Sequence, residues 1–248
     1  MKNLKKIKGD ASFRKFFRKK KNGSSSVVVF AKKEKFKNLI VYEAINKILI
    51  KHNILAPKLY SENYSKNYIE IQDFGNETIY EKLIKKDKNL FVYYKKIIRL
   101  LKQIQSIKVK KIKTFKNKNY TIPLYDQKVL IKEANLFCDW YVKKNLTKSN
   151  KKKFSKEFKK IVKKLASQLM LRNDVFVHRD FHISNLMLVN NRIGVIDNQD
   201  ALIGNKAYDL ASLIDDVRFK IPNTLKKKIF DFYLRGQKKK KFINLKMT

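Results

Sequence analysis

The segment His178-Arg179-Asp180-Phe181-His182-Ile183-Ser184-Asn185 brings a carboxylate and an amide to positions five apart, and Asp197 follows twelve residues after Asn185, behind the apolar run 193–196. Phosphoryl transfer is the chemistry such a set suits. It asks the protein for little covalent work and for much positioning and charge neutralisation. A carboxylate beside an acceptor hydroxyl can orient it and take its proton, which is the catalytic role read for Asp180. Hard oxygen donors can hold Mg²⁺ against phosphates, which is the metal-ligating role read for Asn185 and Asp197. A loop carrying the first two and a strand end carrying the third can point three oxygen ligands into one cleft. The plainer reading has Asp180 and Asn185 capping turns and Asp197 on the surface. The combination of loop spacing, short hairpin and strand-end Asp favours the catalytic one. His178 reads as a structural residue of the loop, and His182 as a residue that can approach substrate.

The elements that must position these residues follow from hydrophobic pattern and turn chemistry. Residues 4–8 predict a short strand, 9–12 are turn-rich, and 13–19 and 25–31 predict two strands joined by a turn at 20–24. Val27 to Phe30 is a continuous apolar run, as in a strand covered on both faces. Residues 36–51 carry Ile40, Val41, Ala44, Ile45, Ile48 and Leu49 at helical spacing. A second hairpin is expected at 58–61 and 68–72, before Asp73-Phe74-Gly75 breaks the pattern. Helices are expected at 78–85, 90–107, 126–145, 151–171, 208–219 and 223–234, with short strands at 175–178, 186–189 and 193–196. The class is α+β: a small β-rich N-lobe, a linker near 73–76 and a mainly helical C-lobe. The expected division is 1–75 for nucleotide binding, 76–236 for the catalytic loop and substrate site, and 237–248 as a basic tail. On the helix at 126–145, Val129, Leu130, Phe137, Trp140 and Tyr141 share a face with Glu133. A carboxylate facing a core is costly unless paired or used. It is read either as a structural salt bridge or as a hydrogen-bonding partner of substrate. Trp140 and Tyr141 are read either as rings that stack on a sugar or, as members of that stripe, as core residues, and the core placement is preferred.

His178 to Asn185 fits the kinase catalytic-loop pattern H-R-D-x-x-x-x-N, and with Asp197 it resembles the aminoglycoside phosphotransferase and choline kinase superfamily. The stretch Gly9-Asp10-Ala11-Ser12-Phe13-Arg14-Lys15-Phe16-Phe17-Arg18 looks like a signature of one branch. So do Tyr125-Asp126 with Glu133, Leu136, Phe137, Trp140 and Tyr141, and Asp197-Asn198-Gln199-Asp200-Ala201 followed by Tyr208-Asp209-Leu210-Ala211-Ser212-Leu213. That branch is the anomeric kinases of N-acetylmuramate and N-acetylglucosamine, which serve cell-wall sugar recycling. The resemblance implies a bilobal protein-kinase-like fold, ATP and Mg²⁺ as cofactors, and a small-molecule sugar as substrate. It makes Gly9, Asp10, Ala11 and Ser12 the nucleotide loop, Asp209 a brace of the catalytic loop or a helix cap, and Asp200 a supporting carboxylate. Three departures stand out. No V-A-I-K motif lies on the third strand, so either Lys32, paired with Glu43, or Arg14 is the cation for the nucleotide phosphates. Asn198 replaces an aromatic and is expected to loosen packing behind Asp197. The chain stops soon after Arg235, where relatives continue, so the substrate pocket is expected to be abbreviated or completed by a partner.

The 248 residues carry a formal charge of +39, with 60 Lys and Arg against 21 Asp and Glu. Only eight of the basic residues are Arg, and lysines run along the whole chain with Asn and Ile plentiful. This is the composition of an AT-rich coding sequence, and the reading preferred is a surface bias that attracts ATP and anionic substrates. A catalytically degenerate nucleic-acid-binding protein is the competing class. The intact Asp180, Asn185 and Asp197 set and the lack of an RNA-binding motif with clustered aromatics speak against it, so no specific nucleic-acid partner is expected. Kinases of other small alcohols, such as choline-like substrates or aminoglycosides, remain open, with scarce acidic residues weighing against cationic substrates. A protein kinase is disfavoured because no A-P-E segment follows Asp197. The single Cys138 forms no internal disulfide. The sequence predicts no membrane span and no secretory signal, so a cytoplasmic location is expected.

Overall fold

The computed structural model of the chain describes residues 4–7, 14–31, 38–85, 89–169 and 172–235. Strands β1 (Leu4–Lys6), β2 (Arg14–Lys21), β3 (Ser24–Ala31), β4 (Leu59–Asn63) and β5 (Tyr68–Gln72) form one sheet in the order β1-β2-β3-β5-β4, with every neighbouring pair antiparallel. The turn expected at 20–24 shrinks to Asn22-Gly23, both at positive φ (48° and 75°), and Lys21 pairs with Ser24. Left-handed values at both central residues let a two-residue turn follow the strand twist, so the ladder extends further than expected. Val27, Val29 and Ala31 are buried while Val28 and Phe30 are half-buried. The strand is therefore sealed on one face rather than both.

Helix α1 (Asn38–Lys51) joins the sheet to the rest of the molecule. Its Leu39 and Tyr42 pack with Val27, Val29, Ile69 and Ile71, while Ala44, Ile45, Ile48 and Leu49 belong to the larger core. That core includes residues of α2 (Ile79–Ile84), α3 (Leu90–Gln105), α7 (Ala207–Ile214) and α8 (Asn223–Leu234). A hairpin of β6 (Lys111–Lys113) and β7 (Asn119–Thr121) was not expected. The strands that carry the site are β8 (Val175–Val177), paired with β11 (Leu202–Gly204), and the hairpin of β9 (Leu186–Val189) and β10 (Arg192–Val195). Strand β11 also lay outside the sequence expectation, because three residues offer no readable period.

Among the described residues, six of the eight non-glycine residues at positive φ are asparagines, including Asn190 and Asn191 in the β9–β10 turn. Asn tolerates the left-handed region better than other residues, which is how a chain poor in glycine makes these turns. The two exceptions are Arg179 and Asp197, and both lie in the candidate site.

The linker is tethered from both sides. Arg18 of β2 donates to both carboxylate oxygens of Asp73 (2.5 and 2.9 Å), to the Asn76 side chain (2.6 Å) and to the Gly75 carbonyl (2.8 Å). Phe74 lies so close to Gly194 of β10 that a Cβ there would meet its ring at 2.8 Å. Burial alone would raise the Asp73 carboxyl, but the Arg18 hydrogen bonds and the Gly75 N–H outweigh it and hold it below the usual range. A carboxyl depressed on folding contributes stability that is complete above its unfolded value, about 3.9, and is lost as pH falls through the folded value. Asp73→Asn should therefore lower stability at neutral pH and flatten the acid decline, read from urea unfolding between about pH 6 and 3. An unchanged acid profile would remove Asp73 from that role.

The helix expected over 126–145 is interrupted. It runs as α4 (Gln127–Leu136), a π-helical turn (Phe137–Val142) and α5 (Lys143–Asn145). The wider π turn changes which side chains share a face. Cys138 and Val142 become buried, whereas Trp140 and Tyr141 are 66% and 59% exposed, contrary to the core placement expected of them. Helix α4 itself has no fully buried residue, so Glu133 does not face a sealed core. Helix α6 (Lys148–Gln168) follows, with Ala166 its only buried residue.

Candidate active site

The loop from His178 to Asn185 leaves β8 with Arg179 at φ 79°, a conformation costly for a side chain of that type. Its hydrogen bonds hold it there. Asp209 of α7, fully buried, accepts the backbone N–H groups of His178 (2.8 Å) and Arg179 (2.9 Å), one on each carboxylate oxygen. Burial pushes the Asp209 carboxyl upward, while His178 and these two N–H groups draw it down. Asp209→Ala should leave both loop donors unsatisfied and cost about 2–5 kcal/mol. A thermal melt shifted by far less would show that the loop holds itself. His178 is a loop brace: its Nδ1 accepts the Asp180 N–H (3.2 Å) and its Nε2 faces the Ile196 carbonyl (3.1 Å), which requires the proton on Nε2.

Asp180 is half-exposed and held from two sides. His182 Nε2 lies 3.0 Å from its Oδ1, and Asn185 Nδ2 donates to its Oδ2 (3.1 Å) and to its carbonyl (3.0 Å). The His182 hydrogen bond, working against burial, keeps the Asp180 carboxyl below the usual range. His182 is itself buried, so its Nε2 serves the carboxylate. Because Asn185 turns its amide nitrogen to Asp180, its Oδ1 is the atom left for a cation.

Asp197 sits at the end of the loop after β10, at φ 63°. Its Oδ1 accepts from Arg14 of β2 (2.8 Å), and the same guanidinium donates to Gln199 (2.6 Å), whose Nε2 donates to Asp200 (2.7 Å). The Arg14 side chain is 6% exposed and lies against the rings of Phe16 and Tyr42. Burial and the Asp197 charge push the Tyr42 hydroxyl up to about 12, so it stays protonated. Asn198 does not loosen this region. It is wholly buried and donates to Asn46 of α1 (2.7 Å) and to the Val195 carbonyl (3.1 Å). A polar partner on α1 replaces the packing that an aromatic would supply.

Glu133 reaches the same loop from α4. It pairs with Arg179 and accepts from the Tyr125 hydroxyl (2.6 Å), and its charge joins burial in raising that phenol. Glu133→Gln should weaken the Arg179 anchor and cost about 1–3 kcal/mol. If the carboxylate also contacts the acceptor, KM for the acceptor rises more than turnover falls. Acceptor kinetics beside a thermal melt separate the two. Glu43 is bonded to Lys47 (3.9 Å) and the Phe115 N–H (3.3 Å). Gly9, Asp10, Ala11, Ser12 and Lys32 lie outside the described residues. The structure thus gathers Asp180, His182, Asn185, Asp197, Arg14, Asp200, Glu133, His178 and Asp209 around one loop system. Sequence reasoning missed Gln199, Tyr42, Asn46 and the ionic role of Arg179, although Arg179 sits inside the motif itself.

The donor set fits Mg²⁺. Asp197 and Asn185 offer a carboxylate and an amide oxygen, and among the described residues no three His, Cys, Asp or Glu side chains form a metal cage. Mg²⁺ is commonly held this way, by one or two carboxylates together with substrate phosphates and water.

The chain is 30% identical over 208 residues to an N-acetylmuramate/N-acetylglucosamine kinase of Neisseria meningitidis serogroup B, an alignment covering 84% of this chain and 59% of that protein. It spans about three fifths of the length of that relative. The ADP-bound aminoglycoside phosphotransferase APH(2'')-Ib superposes with a TM-score of 0.64 at 18% identity, covering 95% of this chain and 78% of that one. The gentamicin complex of APH(2'')-IIa gives 0.67 at 16%, covering 95% and 78%. These two likenesses establish the protein-kinase-like fold. Residues 3–242 match the phosphotransferase enzyme family, and the chain belongs to that family.

Proposed function

We infer that the chain is an ATP-dependent kinase that phosphorylates the anomeric hydroxyl of an amino sugar of the N-acetylmuramate or N-acetylglucosamine type, working in the cytoplasm in cell-wall recycling. The observation that supports this reading is the joining of the Asp180–Asn185 loop to the segment that carries Asp197, through the Ile196 N–H donated to the Asn185 carbonyl (3.1 Å), in a chain whose curated relatives are named for that activity. In this reading residues 1–75 form the nucleotide lobe and 76–236 the catalytic and acceptor lobe. Mg²⁺, when bound, neutralises phosphate charge.

Each side chain then has a task. Asp180 orients the acceptor hydroxyl and receives its proton. A carboxylate kept ionised by His182 is a weak base, which suits an anomeric hydroxyl, since that group is more acidic than an ordinary alcohol. Asn185 links the position of Asp180 to the metal, because one amide serves both. Arg14 brings a fixed positive charge from β2 to the edge of the phosphate site, the task an N-lobe lysine would otherwise perform.

The test is ADP release with Mg-ATP and a panel of amino sugars, hexoses, choline and aminoglycosides. Turnover confined to N-acetylmuramate and N-acetylglucosamine is expected. Turnover on choline or an aminoglycoside instead would replace the acceptor and keep the kinase, and silence on the whole panel would overturn the reading.

A further inference from the structure

Arg179 stands apart from the other residues that this chain places at positive φ. Among the described residues, most positions of that kind are asparagines, whereas Arg179 holds φ 79° with a long side chain. The chain has only eight arginines. Left-handed backbone is costly for a residue of this type. Such a cost persists where the surroundings over-determine it, most often at functional sites.

The loop around Arg179 consists of two fixed parts and a joint. Upstream, the buried Asp209 accepts the N–H groups of His178 (2.8 Å) and Arg179 (2.9 Å). Downstream, the turn closes on itself. The His182 N–H donates to the Asp180 carbonyl (3.1 Å), and the Asn185 N–H donates to the His182 carbonyl (2.9 Å). The Asn185 side chain adds a bond to the Asp180 carbonyl (3.0 Å). Between the two parts lies the Arg179–Asp180 peptide, whose N–H reaches His178 Nδ1 at the longer distance of 3.2 Å.

The Arg179 side chain ties this joint to another part of the lobe. Its guanidinium pairs with Glu133 of α4, and the two side chains are 30% and 25% exposed, so the pair is partly withdrawn from water. Glu133 accepts from the Tyr125 hydroxyl with its other oxygen (2.6 Å). Tyr125 is buried, and its N–H donates to the Ile203 carbonyl of β11 (2.8 Å). Strand β11 pairs with β8, which leads into the loop. The contacts therefore close a ring from β8 and β11 through Tyr125 and α4 back to Arg179. Both oxygens of Glu133 are engaged in that ring, so holding Arg179 accounts for its charge without a substrate contact.

We propose that Arg179 is a positioning residue: the Tyr125–Glu133–Arg179 tie fixes the Arg179–Asp180 peptide and thereby aims the Asp180 carboxylate at the acceptor hydroxyl. The inference rests on the role of Asp180 given above. A residue better suited to φ 79° would ease the backbone there and lose the tie to α4.

Two measurements on the full chain keep the tie and the reaction apart. Amide hydrogen exchange without ligands reads the tie alone, since local opening needs no turnover. Arg179→Asn suits the left-handed backbone and leaves the Asp209 bonds in place. It should speed exchange of residues 180–185 roughly tenfold or more and leave the buried part of α1 unaltered. Adding Glu133→Gln should speed the loop no further, because the two residues act as one unit. Acceleration of α1 together with the loop would mean a general loss of stability and would overturn the proposal.

Kinetics then follow on whichever acceptor the wild-type chain phosphorylates. Arg179→Asn should lower kcat roughly tenfold or more with KM for ATP and acceptor little changed, because misplacing a reacting group costs turnover. Arg179→Lys keeps the charge opposite Glu133 and should recover most of the rate. A higher acceptor KM at unchanged kcat would make Arg179 a substrate-binding residue and overturn the proposal, as would an unaltered kcat. A wild-type chain silent on every acceptor would overturn the proposed function. The exchange result still decides the tie in that case, and loop amides no faster in Arg179→Asn would overturn it.

Discussion

Asp197→Ala should abolish Mg-dependent turnover and destabilise the protein at once. The loss of turnover follows from the proposed metal site, which would lose its charged ligand and leave phosphate charge uncompensated. The loss of stability follows from Arg14, whose side chain is 6% exposed and would lose the anion it faces. Removing one partner of a buried pair typically costs about 3–5 kcal/mol. Asp197 is partly exposed and Gln199 still accepts from Arg14, so about 2–3 kcal/mol is expected here. Adding Arg14→Met should recover much of the stability, since no buried cation then faces the missing carboxylate, and should recover no turnover. Urea melts and ADP release on the single and double variants would settle both parts. Near-normal turnover of Asp197→Ala at saturating Mg²⁺ would mean that the metal is held elsewhere.

Asp180→Asn should lower turnover by roughly a hundredfold or more while changing ATP affinity little. The amide keeps the shape and one acceptor oxygen, which can take the His182 hydrogen bond, and Asn185 still donates to the backbone carbonyl at position 180 (3.0 Å), so the loop geometry is largely retained. What disappears is the negative charge that orients the acceptor hydroxyl and receives its proton. Asp180 is half-exposed, and the contacts that fix it come from His182 and Asn185, while Arg14 lies on Asp197. KM for ATP should accordingly hold while kcat falls. A variant of wild-type speed would remove Asp180 from the reaction and with it the basis for the proposed chemistry. A matched fall in ATP affinity would place it at the nucleotide instead.

How much of this was legible beforehand differs from residue to residue. Asp180, Asn185 and Asp197 were readable because the chemistry fixes their type and their separation along a loop and a strand end. The β2–β3 hairpin, α1 and α8 were readable because their periods are local properties of the chain, and α8 has the expected bounds of 223 and 234. The brace role of Asp209 came from family resemblance, and the structure supplies its atoms: two backbone N–H groups some thirty residues away. Arg14 was singled out as a candidate phosphate cation, yet its bond to Asp197 spans 183 residues, and no spacing rule relates positions so far apart. The Asn46–Asn198 pair spans 152 residues, so an asparagine that looks like a packing defect in sequence is half of a buried hydrogen bond in space.

The aromatic residues after α4 show the same division. Their helical period was visible, and the period alone placed Trp140 and Tyr141 inside. A single π turn rotates them out and turns Cys138 and Val142 in, an outcome decided by how the helix packs. Sequence by itself determined the reactive residue types, their spacing and the elements that carry them, because these depend on neighbours within a few positions. Tertiary structure alone decided which charges meet, which aromatic residues of the π turn face outward among the described residues, and which loop is held in a costly conformation. Those outcomes depend on contacts between segments that the chain order keeps far apart.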